Sequence, residues 1–269
     1  LEVQTCALPI CSSAFALTKR GINVTLIERN AKLAQEASGN PIAVLYPKLT
    51  SAPSLNNDLT LAGFQFSLNL LNQLPHSAEL FNACGLIQLA YNAREKTRQM
   101  QLLQQKTLLK MNYLTALQAN NHAGIALGGF DGIYMPQAAW VSPTLWCETL
   151  TQNIEKMLST EALQLNKKAT GWQVKLGEST LQADVVVICN ANDITQFAQC
   201  ASARIRPVRG QINFFSENTI SKKLKTIVCT NHFVSPAIAG IHQIGTSYEP
   251  NDLNGSLNES DTHENLQAL

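Results

Sequence analysis

The sequence predicts an α/β protein in which a doubly wound domain is interleaved with a second, α+β domain built on an antiparallel sheet. Three observations predict this fold class. A helical segment ending at Gly21 leads directly into the β-rich, acidic-ended segment 22–28. A later run, 183–191, is β-branched and apolar on both faces, as buried parallel strands are. Short alternating strands with glycine turns precede that run, which is typical of an antiparallel sheet.

The remaining elements follow from the period of the apolar residues. Helices are predicted over residues 12–20, 58–74, 93–109, 142–158 and 258–269. Strands are predicted over residues 22–28, 85–91, 163–165, 172–176, 179–181, 183–191, 208–215, 226–234 and 243–247. In the second helix, five apolar side chains lie close to one stripe: Leu59, Ala62, Phe66, Leu70 and Leu74.

The two domains are expected to alternate along the chain. Residues 1–80 and 136–202 are assigned to the doubly wound domain, and residues 81–135 and 203–269 to the antiparallel-sheet domain. The chain begins at Leu1 rather than methionine and stops inside a helical segment. These ends indicate a piece of a longer protein, truncated in its last part.

Composition narrows the class of protein. Of the 269 residues, 45% are hydrophobic, as in a globular protein. The net charge is only +1, so the molecule as a whole has no basic field that would bind nucleic acid. The seven cysteines form no C-x-x-C pair and have no histidine at zinc spacing, so we expect reduced thiols and no metal. No apolar run approaches the roughly 20 residues of a membrane-spanning helix. We therefore expect a cytoplasmic protein with no membrane partner.

Glu28 is the first candidate for ligand binding. In a dinucleotide-binding βαβ unit, an acidic residue at the tip of the second strand binds the ribose, about 20 residues after a glycine loop. The three loop glycines are expected where this sequence has Thr5, Ala7 and Ile10. Pro9 also removes a backbone N–H from this segment. Residues 1–10 are therefore expected to be non-native, and dinucleotide binding by this polypeptide alone is expected to be weak or absent.

Five segments together resemble the D-amino-acid oxidase family of flavoproteins: residues 21–28, the Ser-Gly-Asn turn 38–40, residues 184–190, RPVRGQ (206–211) and IGTSYE (244–249). Within that family, three runs are similar to the flavin domain of the bifunctional enzymes that complete a modified wobble uridine in tRNA. These runs are ASGNPIAVLYP (37–47), CGLIQLA (84–90) and GIYMPQAAWVSP (132–143). The likeness extends from about Cys11 to the end of the chain, and the first run is its most specific part.

The resemblance implies an FAD-dependent oxidoreductase with tRNA as its substrate. It implies oxidation of the carboxymethylaminomethyl group on the wobble uridine, by hydride transfer to the flavin and hydrolysis of the imine, to leave the aminomethyl base. It also implies a methyltransferase domain upstream in the full protein. Two alternatives remain open: a small-molecule amine or amino-acid oxidase of the glycine or sarcosine type, and a remnant that binds no FAD.

The resemblance assigns cofactor binding to seven residues: Glu28, Arg29, Ser38, Gly39, Asn40, Ala191 and Asn192. Glu28 is expected to hold the adenosine ribose, the turn at 38–40 to approach the pyrophosphate and flavin, and the last two residues to line the cofactor. Arg209 is the candidate for the substrate carboxylate, because guanidinium binds carboxylate bidentately. The alternative is that Arg209 pairs with an acidic neighbour. Tyr46 and Tyr248 are candidates for lining the substrate pocket, and no general base is assigned.

Overall fold

The computed structural model describes residues 7–75, 77–105 and 109–267, so the expectation of a non-native start falls largely on residues outside the described part. The described α-helices are α1 (Ala7–Thr18), α2 (Leu55–Gln73), α3 (Ser77–Leu80), α4 (Ala93–Leu103), α5 (Ala116–Ala123), α6 (Pro143–Leu150) and α7 (Glu259–Gln267). Short 3₁₀ helices span Ala37–Gly39, Ala191–Gln196, Ala198–Cys200 and Ser221–Lys223. Among these described helices, none is both long and apolar enough to cross a lipid bilayer.

The strands are short. In chain order they are β1 (Thr25–Ile27), β2 (Ala43–Leu45), β3 (Phe81–Asn82), β4 (Leu86–Leu89), β5 (Asn112–Leu114), β6 (Gly132–Met135), β7 (Ala139–Val141), β8 (Glu155–Met157), β9 (Gln164–Lys167), β10 (Trp172–Leu176), β11 (Ser179–Ala183), β12 (Val208–Arg209), β13 (Ile212–Ser216), β14 (Ile227–Cys229), β15 (Phe233–Val234), β16 (Ile241–Gly245) and β17 (Glu249–Pro250).

The chain divides into two compact units, each made of two stretches of sequence. The first unit contains the residues up to Pro41 together with Ser142–Pro207, and the second contains Ile42–Val141 together with Val208–Leu269. These divisions differ from those expected after residues 80, 135 and 202. Residues 42–80 belong to the second unit, because β2 pairs there with β7 and α2 packs there against α3.

The first unit carries a parallel strand pair that ends at Glu28. β1 pairs with β8 in parallel, with Leu26 opposite Lys156, and α1 packs against both β1 and α6. A separate antiparallel sheet has the strand order β11-β10-β9. The helix expected to continue to residue 158 ends at Leu150, because residues 155–157 instead form β8 beside β1. Strand pairing here overrides local helix propensity.

The apolar run 183–191 is not the buried parallel strand that the sequence predicts. β11 ends at Ala183, and residues 184–190 belong to no described strand. Val185 is 75% exposed, and Val187 is also exposed. The prediction is wrong because an apolar run becomes a strand only where a neighbouring strand satisfies its backbone groups, and no described strand pairs with this one.

The second unit is built on a seven-stranded mixed sheet with the order β13-β16-β15-β14-β4-β6-β5. The β14–β4 pair is parallel, and the other neighbours in this sheet are antiparallel. Helix α5 packs against β5 and β6, α4 against β6, and α7 against β13 and β16. A smaller antiparallel sheet, β2-β7-β3, and the β12–β17 ribbon complete this unit. Together, the parallel pair, the antiparallel sheets and the helices packed on them confirm the predicted α/β fold class.

Helix α2 turns an unexpected side toward the core. The hydroxyl of Ser54 caps the helix by accepting a hydrogen bond from the Asn57 backbone N–H (3.2 Å). The residues buried beneath the helix are Asn57, Phe64, Leu68 and Leu71. Leu59 and Phe66, which belong to the stripe seen in the sequence, are 61% and 68% exposed. The helix is confirmed, but α2 has apolar residues on two opposite sides, and sequence period alone does not show which side meets the core.

Candidate cofactor site

A cavity of about 600 Å³ lies in the first unit beside the end of β1. Its walls come from α1, from β1 and the loop that follows it, and from the run 183–190. Of the seven predicted cofactor residues, Glu28, Arg29 and Ser38 line this cavity. The other four do not line it: Gly39 and Ala191 directly follow the lining residues Ser38 and Asn190, and Asn40 and Asn192 come one residue later in the chain.

Strand pairing fixes the position of Glu28. Its backbone N–H donates to the Met157 carbonyl (2.9 Å), and its own carbonyl accepts from the Thr160 N–H (3.0 Å). The carboxylate atom Oε1 accepts from both the backbone N–H and the side-chain amide of Asn30, each at 2.8 Å. Because these bonds use one carboxylate oxygen and no described donor contacts Oε2, the second oxygen can accept a hydrogen bond at the cavity.

Arg29 joins the two loops that border the cavity. Its Nη2 lies 2.5 Å from Glu36 Oε1, and its Nη1 lies 2.7 Å from Asp193 Oδ2. The hydrogen bond to Glu36 is the main cause that raises the pKa of Arg29, and the hydrogen bond to Asp193 is the second. Exposed ion pairs contribute little to global stability. Their effect is local: they tie the loop after β1 to the 3₁₀ helix Ala191–Gln196.

Asn190 lines the same cavity, and it directly precedes the two predicted cofactor residues Ala191 and Asn192. Both polar atoms of its side chain are buried and have no hydrogen-bond partner among the described residues. The next residue, Ala191, has a φ of +42°, which residues other than glycine rarely adopt. An unsatisfied buried amide beside a strained turn is typical of a ligand contact. In the sequence, Asn190 is the polar residue that closes the apolar run, which places it at the end of the chain segment expected to pass close to the cofactor.

The turn at residues 37–40 requires a glycine. A Cβ atom on Gly39 would lie 2.6 Å from the carbonyl oxygen of Ala34. Ala34 itself has a φ of +58°, and the Gly39 N–H donates to the Glu36 carbonyl (2.7 Å). The loop after β1 therefore folds back tightly on itself, and the absence of a side chain at Gly39 permits this.

Replacing Gly39 by alanine is expected to lower the free energy of unfolding by about 1–3 kcal/mol, because the added methyl group overlaps the Ala34 carbonyl. Denaturant unfolding of the purified chain measures this change. Gly63→Ala is the matched control, since nothing lies within 4 Å of a Cβ atom at that helical position. The control is expected to raise stability by up to about 1 kcal/mol. Unchanged stability of Gly39→Ala would contradict the close packing of this turn.

These residues fit one end of FAD better than the other. A carboxylate at a strand tip and an unsatisfied amide suit the ribose hydroxyls and polar atoms of adenosine. A diphosphate needs backbone N–H groups at a helix N-terminus. The first turn of α1 contains Pro9, which has no N–H, and lacks a glycine that would let the backbone approach closely. The described residues can therefore hold the adenosine, but they supply only part of the donor set that a diphosphate needs.

Arg209, in the second unit, is already bound by two carboxylates of the chain. Its Nε lies 2.6 Å from Asp252 Oδ2, and its Nη1 lies 2.6 Å from Asp261 Oδ2. The hydrogen bond to Asp252 is the main cause that raises the pKa of Arg209, and the hydrogen bond to Asp261 is the second. The Ser247 hydroxyl donates to the same oxygen of Asp261 (3.0 Å). This is the structural pairing that the sequence left as the alternative, and it leaves the guanidinium engaged rather than available to a substrate carboxylate.

The two tyrosines proposed for the substrate pocket lie in different parts of the second unit. Tyr46 follows β2 and is half-buried near Arg98, whose pKa is raised mainly by hydrogen bonds to Glu95 and less by Tyr46. Tyr248 is exposed and precedes β17, the partner strand of β12, which contains Arg209. Tyr248 is therefore placed with Arg209, and Tyr46 with α4.

Comparison with solved structures shows the same fold in flavoenzymes. A glycine oxidase from Bacillus cereus aligns with a TM-score of 0.79 at 20% identity, covering 97% of this chain and 76% of that one. An iminodiacetate oxidase from Chelativorans aligns with a TM-score of 0.77 at 16% identity, covering 97% and 75%. At these identities the likeness shows the fold alone.

Sequence comparison identifies nearer relatives. A Methylobacillus flagellatus protein named tRNA 5-methylaminomethyl-2-thiouridine biosynthesis bifunctional protein MnmC is 37% identical over 96% of the chain. A protein of the same name from Pseudomonas syringae pv. tomato is 36% identical over 96% of the chain. The chain spans only 40% and 39% of the length of these two relatives. The family model described as FAD dependent oxidoreductase matches residues 11–269, and the chain therefore belongs to that family.

Proposed function

We propose that this chain is the oxidoreductase part of an enzyme that removes the carboxymethyl arm from carboxymethylaminomethyl-uridine at the tRNA wobble position. The relatives, named for biosynthesis of a methylaminomethyl-thiouridine in tRNA, support this substrate. The structural observation that carries the proposal is Glu28, held at the tip of β1 beside a cavity that Asn190 also lines. This arrangement suits the adenosine of FAD, the cofactor of the family.

The chain's own residues have separate tasks under this proposal. Glu28 and Asn190 hold the adenosine, and Arg29 fixes the loops on either side of it. The turn at 38–40 approaches the pyrophosphate and flavin, and Ala191 with Asn192 flanks the cofactor. When bound, FAD supplies the two-electron acceptor for the substrate C–H bond. The substrate amine arrives unprotonated, because its lone pair stabilises the positive charge that develops on the neighbouring carbon.

On the substrate side, Tyr46 and Tyr248 remain the proposed contacts. Arg209 could meet the substrate carboxylate only after leaving Asp252 or Asp261, so we do not assign it that role. The partners under this proposal are tRNA and a methyltransferase domain located in the additional length of the relatives. Because the proposed substrate is tRNA and the six cysteines in the described part of the chain are free, we place the enzyme in the cytoplasm.

Anaerobic flavin reduction tests the proposed reaction. The full-length protein encoded by the gene, loaded with FAD, is mixed with tRNA carrying carboxymethylaminomethyl-uridine, and the flavin absorbance is followed. We expect bleaching with this tRNA and none with the same tRNA bearing unmodified uridine. Glycine and sarcosine form separate arms of the experiment. Bleaching by either amino acid without bleaching by the modified tRNA would establish the small-molecule oxidase instead, and a full-length protein that takes up no FAD would support a non-functional remnant.

A further inference from the structure

The two proposed adenosine contacts, Glu28 and Asn190, belong to distant segments of the first unit. Glu28 directly follows β1, and Asn190 directly precedes the 3₁₀ helix Ala191–Gln196. Both line the cavity of about 600 Å³. A ligand that touches both residues needs the two segments to be held at a fixed separation, so the contacts between these segments decide how well the ligand is held.

A series of side-chain contacts begins at Glu28 and runs along the loop after β1. The side-chain amide of Asn30 donates to Glu28 Oε1 (2.8 Å), and the same nitrogen lies 3.4 Å from Glu36 Oε1. That oxygen of Glu36 also accepts from Arg29 through Nε (2.8 Å) and Nη2 (2.5 Å). The Arg29 guanidinium is therefore held from one side within its own loop, and Nη1 remains free to reach further.

The series then crosses to the segment that contains Asn190. Arg29 Nη1 donates to Asp193 Oδ2 (2.7 Å). The backbone N–H of Asp193 donates in turn to the carbonyl of Asn190 (3.0 Å). In the described part of the chain, no other ion pair joins the loop after β1 to this segment. The ion pair between Arg29 and Asp193, which we call the clasp, therefore closes a continuous path from one adenosine contact to the other.

The clasp is suited to open and close. Both of its side chains are 45% exposed, and ion pairs at this exposure are weak and screened by salt. When Asp193 separates, Arg29 keeps its two hydrogen bonds to Glu36 and stays in position. Opening therefore costs one exposed contact and frees the segment at Asn190, while the segment at Glu28 remains as it is.

We propose that the clasp holds Glu28 and Asn190 together around the adenosine of FAD, so that its opening and closing set how long the cofactor stays bound. The inference rests on the proposed function, which places the adenosine in this cavity. With the clasp closed, both residues contact the ligand at once. With the clasp open, the contact of Asn190 is lost and the ligand leaves sooner. Asp193 is thus a positioning residue that acts through Asn190.

The rate of FAD release tests the proposal. The full-length protein encoded by the gene is loaded with FAD and diluted, and release is followed by flavin fluorescence at about 0.05 and 0.5 M NaCl. Asp193→Asn removes the charge of the clasp and is expected to raise the dissociation rate about threefold to fivefold at low salt. High salt is expected to raise the rate of the unchanged protein but not that of Asp193→Asn, because the variant has no ion pair left to screen.

Two control variants separate the clasp from a general effect of charge. Asp131→Asn removes a comparable exposed ion pair, Lys96 with Asp131 (3.0 Å), in the second unit. We expect this variant to release FAD at the rate of the unchanged protein at both salt concentrations. Asp193→Glu keeps the negative charge and is expected to stay within about twofold of the unchanged rate. Urea unfolding of all variants shows whether the fold itself is weakened.

Several results would overturn the clasp. They are equal release rates for the unchanged protein and Asp193→Asn at low salt, the same salt dependence in both, or a fall in the urea midpoint of Asp193→Asn that accounts for its faster release. Hydrogen exchange without FAD is a further arm: residues 190–196 are expected to exchange faster in Asp193→Asn, and equal exchange would also contradict the clasp.

A failure of the proposed reaction is seen separately. Flavin reduction by modified tRNA is measured on the same samples. A protein that binds FAD and shows the expected release rates, but is not reduced by this tRNA, contradicts the proposed reaction and leaves the clasp standing. If the full-length protein takes up no FAD, the assignment of the cavity to adenosine falls, and the clasp falls with it.

Discussion

Replacing residues 1–10 by an apolar strand and a Gly-x-Gly-x-x-Gly loop is expected to increase the affinity of this chain for FAD by about 100-fold or more. A hydrogen bond to a charged group contributes about 1.5–3 kcal/mol. Two backbone amides regained at the diphosphate therefore correspond to a change in Kd of this size. The absorbance spectrum of the purified protein and titration with FAD measure the change.

The geometry of the first unit favours such a replacement. Among the described strands, β1 pairs only with β8, and the apolar run 184–190 pairs with none. Both line the cavity of about 600 Å³, as α1 does. In a βαβ unit, the strand that precedes the helix runs parallel to the strand that follows it. An added strand ahead of α1 can therefore pair in this region and place its loop at the helix N-terminus.

The control for this experiment keeps the new strand and changes the three loop glycines to alanine. This control is expected to gain the stability that the added strand provides but not the affinity for FAD, because alanine side chains keep the backbone away from the phosphates. Equal FAD binding by the glycine and alanine versions would show that the loop is not the missing element. If neither version binds FAD, the assignment of the cavity to adenosine is wrong.

Asp261→Ala is expected to lower the free energy of unfolding by about 3 kcal/mol. The Asp261 side chain is 3% exposed and accepts hydrogen bonds from both Arg209 and the buried hydroxyl of Ser247. Removing the carboxylate leaves two donors without an acceptor inside the protein. The midpoint of urea unfolding, followed by circular dichroism, measures the loss.

Two further variants test whether the ion pair between Arg209 and Asp261 has a structural role. Asp252→Ala removes the more exposed partner of Arg209 and is expected to change stability much less than Asp261→Ala. Replacing both Arg209 and Asp261 by apolar residues of similar size is expected to restore part of the stability, because no buried charge is then left alone. If Asp261→Ala unfolds at the same urea concentration as the unchanged chain, the contacts of Asp261 with Arg209 and Ser247 do not stabilise the fold.

Local patterns in the sequence were enough to predict several parts of the fold. A β-rich segment that ends in an acid placed Glu28 at a strand tip, and the structure shows it there. A glycine between small polar residues marked the turn at Gly39, where a side chain has no room. These features depend on neighbouring residues in the chain, so a single sequence displays them. The family resemblance, carried by such runs, is confirmed by the match over residues 11–269.

The features that the sequence did not reveal depend on partners far away in the chain. Arg29 meets Asp193, which is 164 residues later. The helix beginning at Pro143 stops at Leu150 because residues 155–157 pair with β1. Similarly, the two apolar sides of α2 look alike until the rest of the unit is in place. The local sequence pattern predicts none of these three features, because each depends on contacts that form only in the folded protein.

The bridge between Arg29, Glu36 and Asp193 also bears on which dinucleotides the first unit can accept. Enzymes that take a ribose carrying an extra 2′-phosphate place an arginine near that group. Here the nearby arginine is neutralised by two carboxylates, and Glu28 adds a further negative charge at the strand tip. If the adenosine binds at Glu28 as proposed, a 2′-phosphate on its ribose would be repelled, whereas the plain hydroxyls would find an acceptor. The contact that ties the two loops together would then also discriminate against NADP-type ligands.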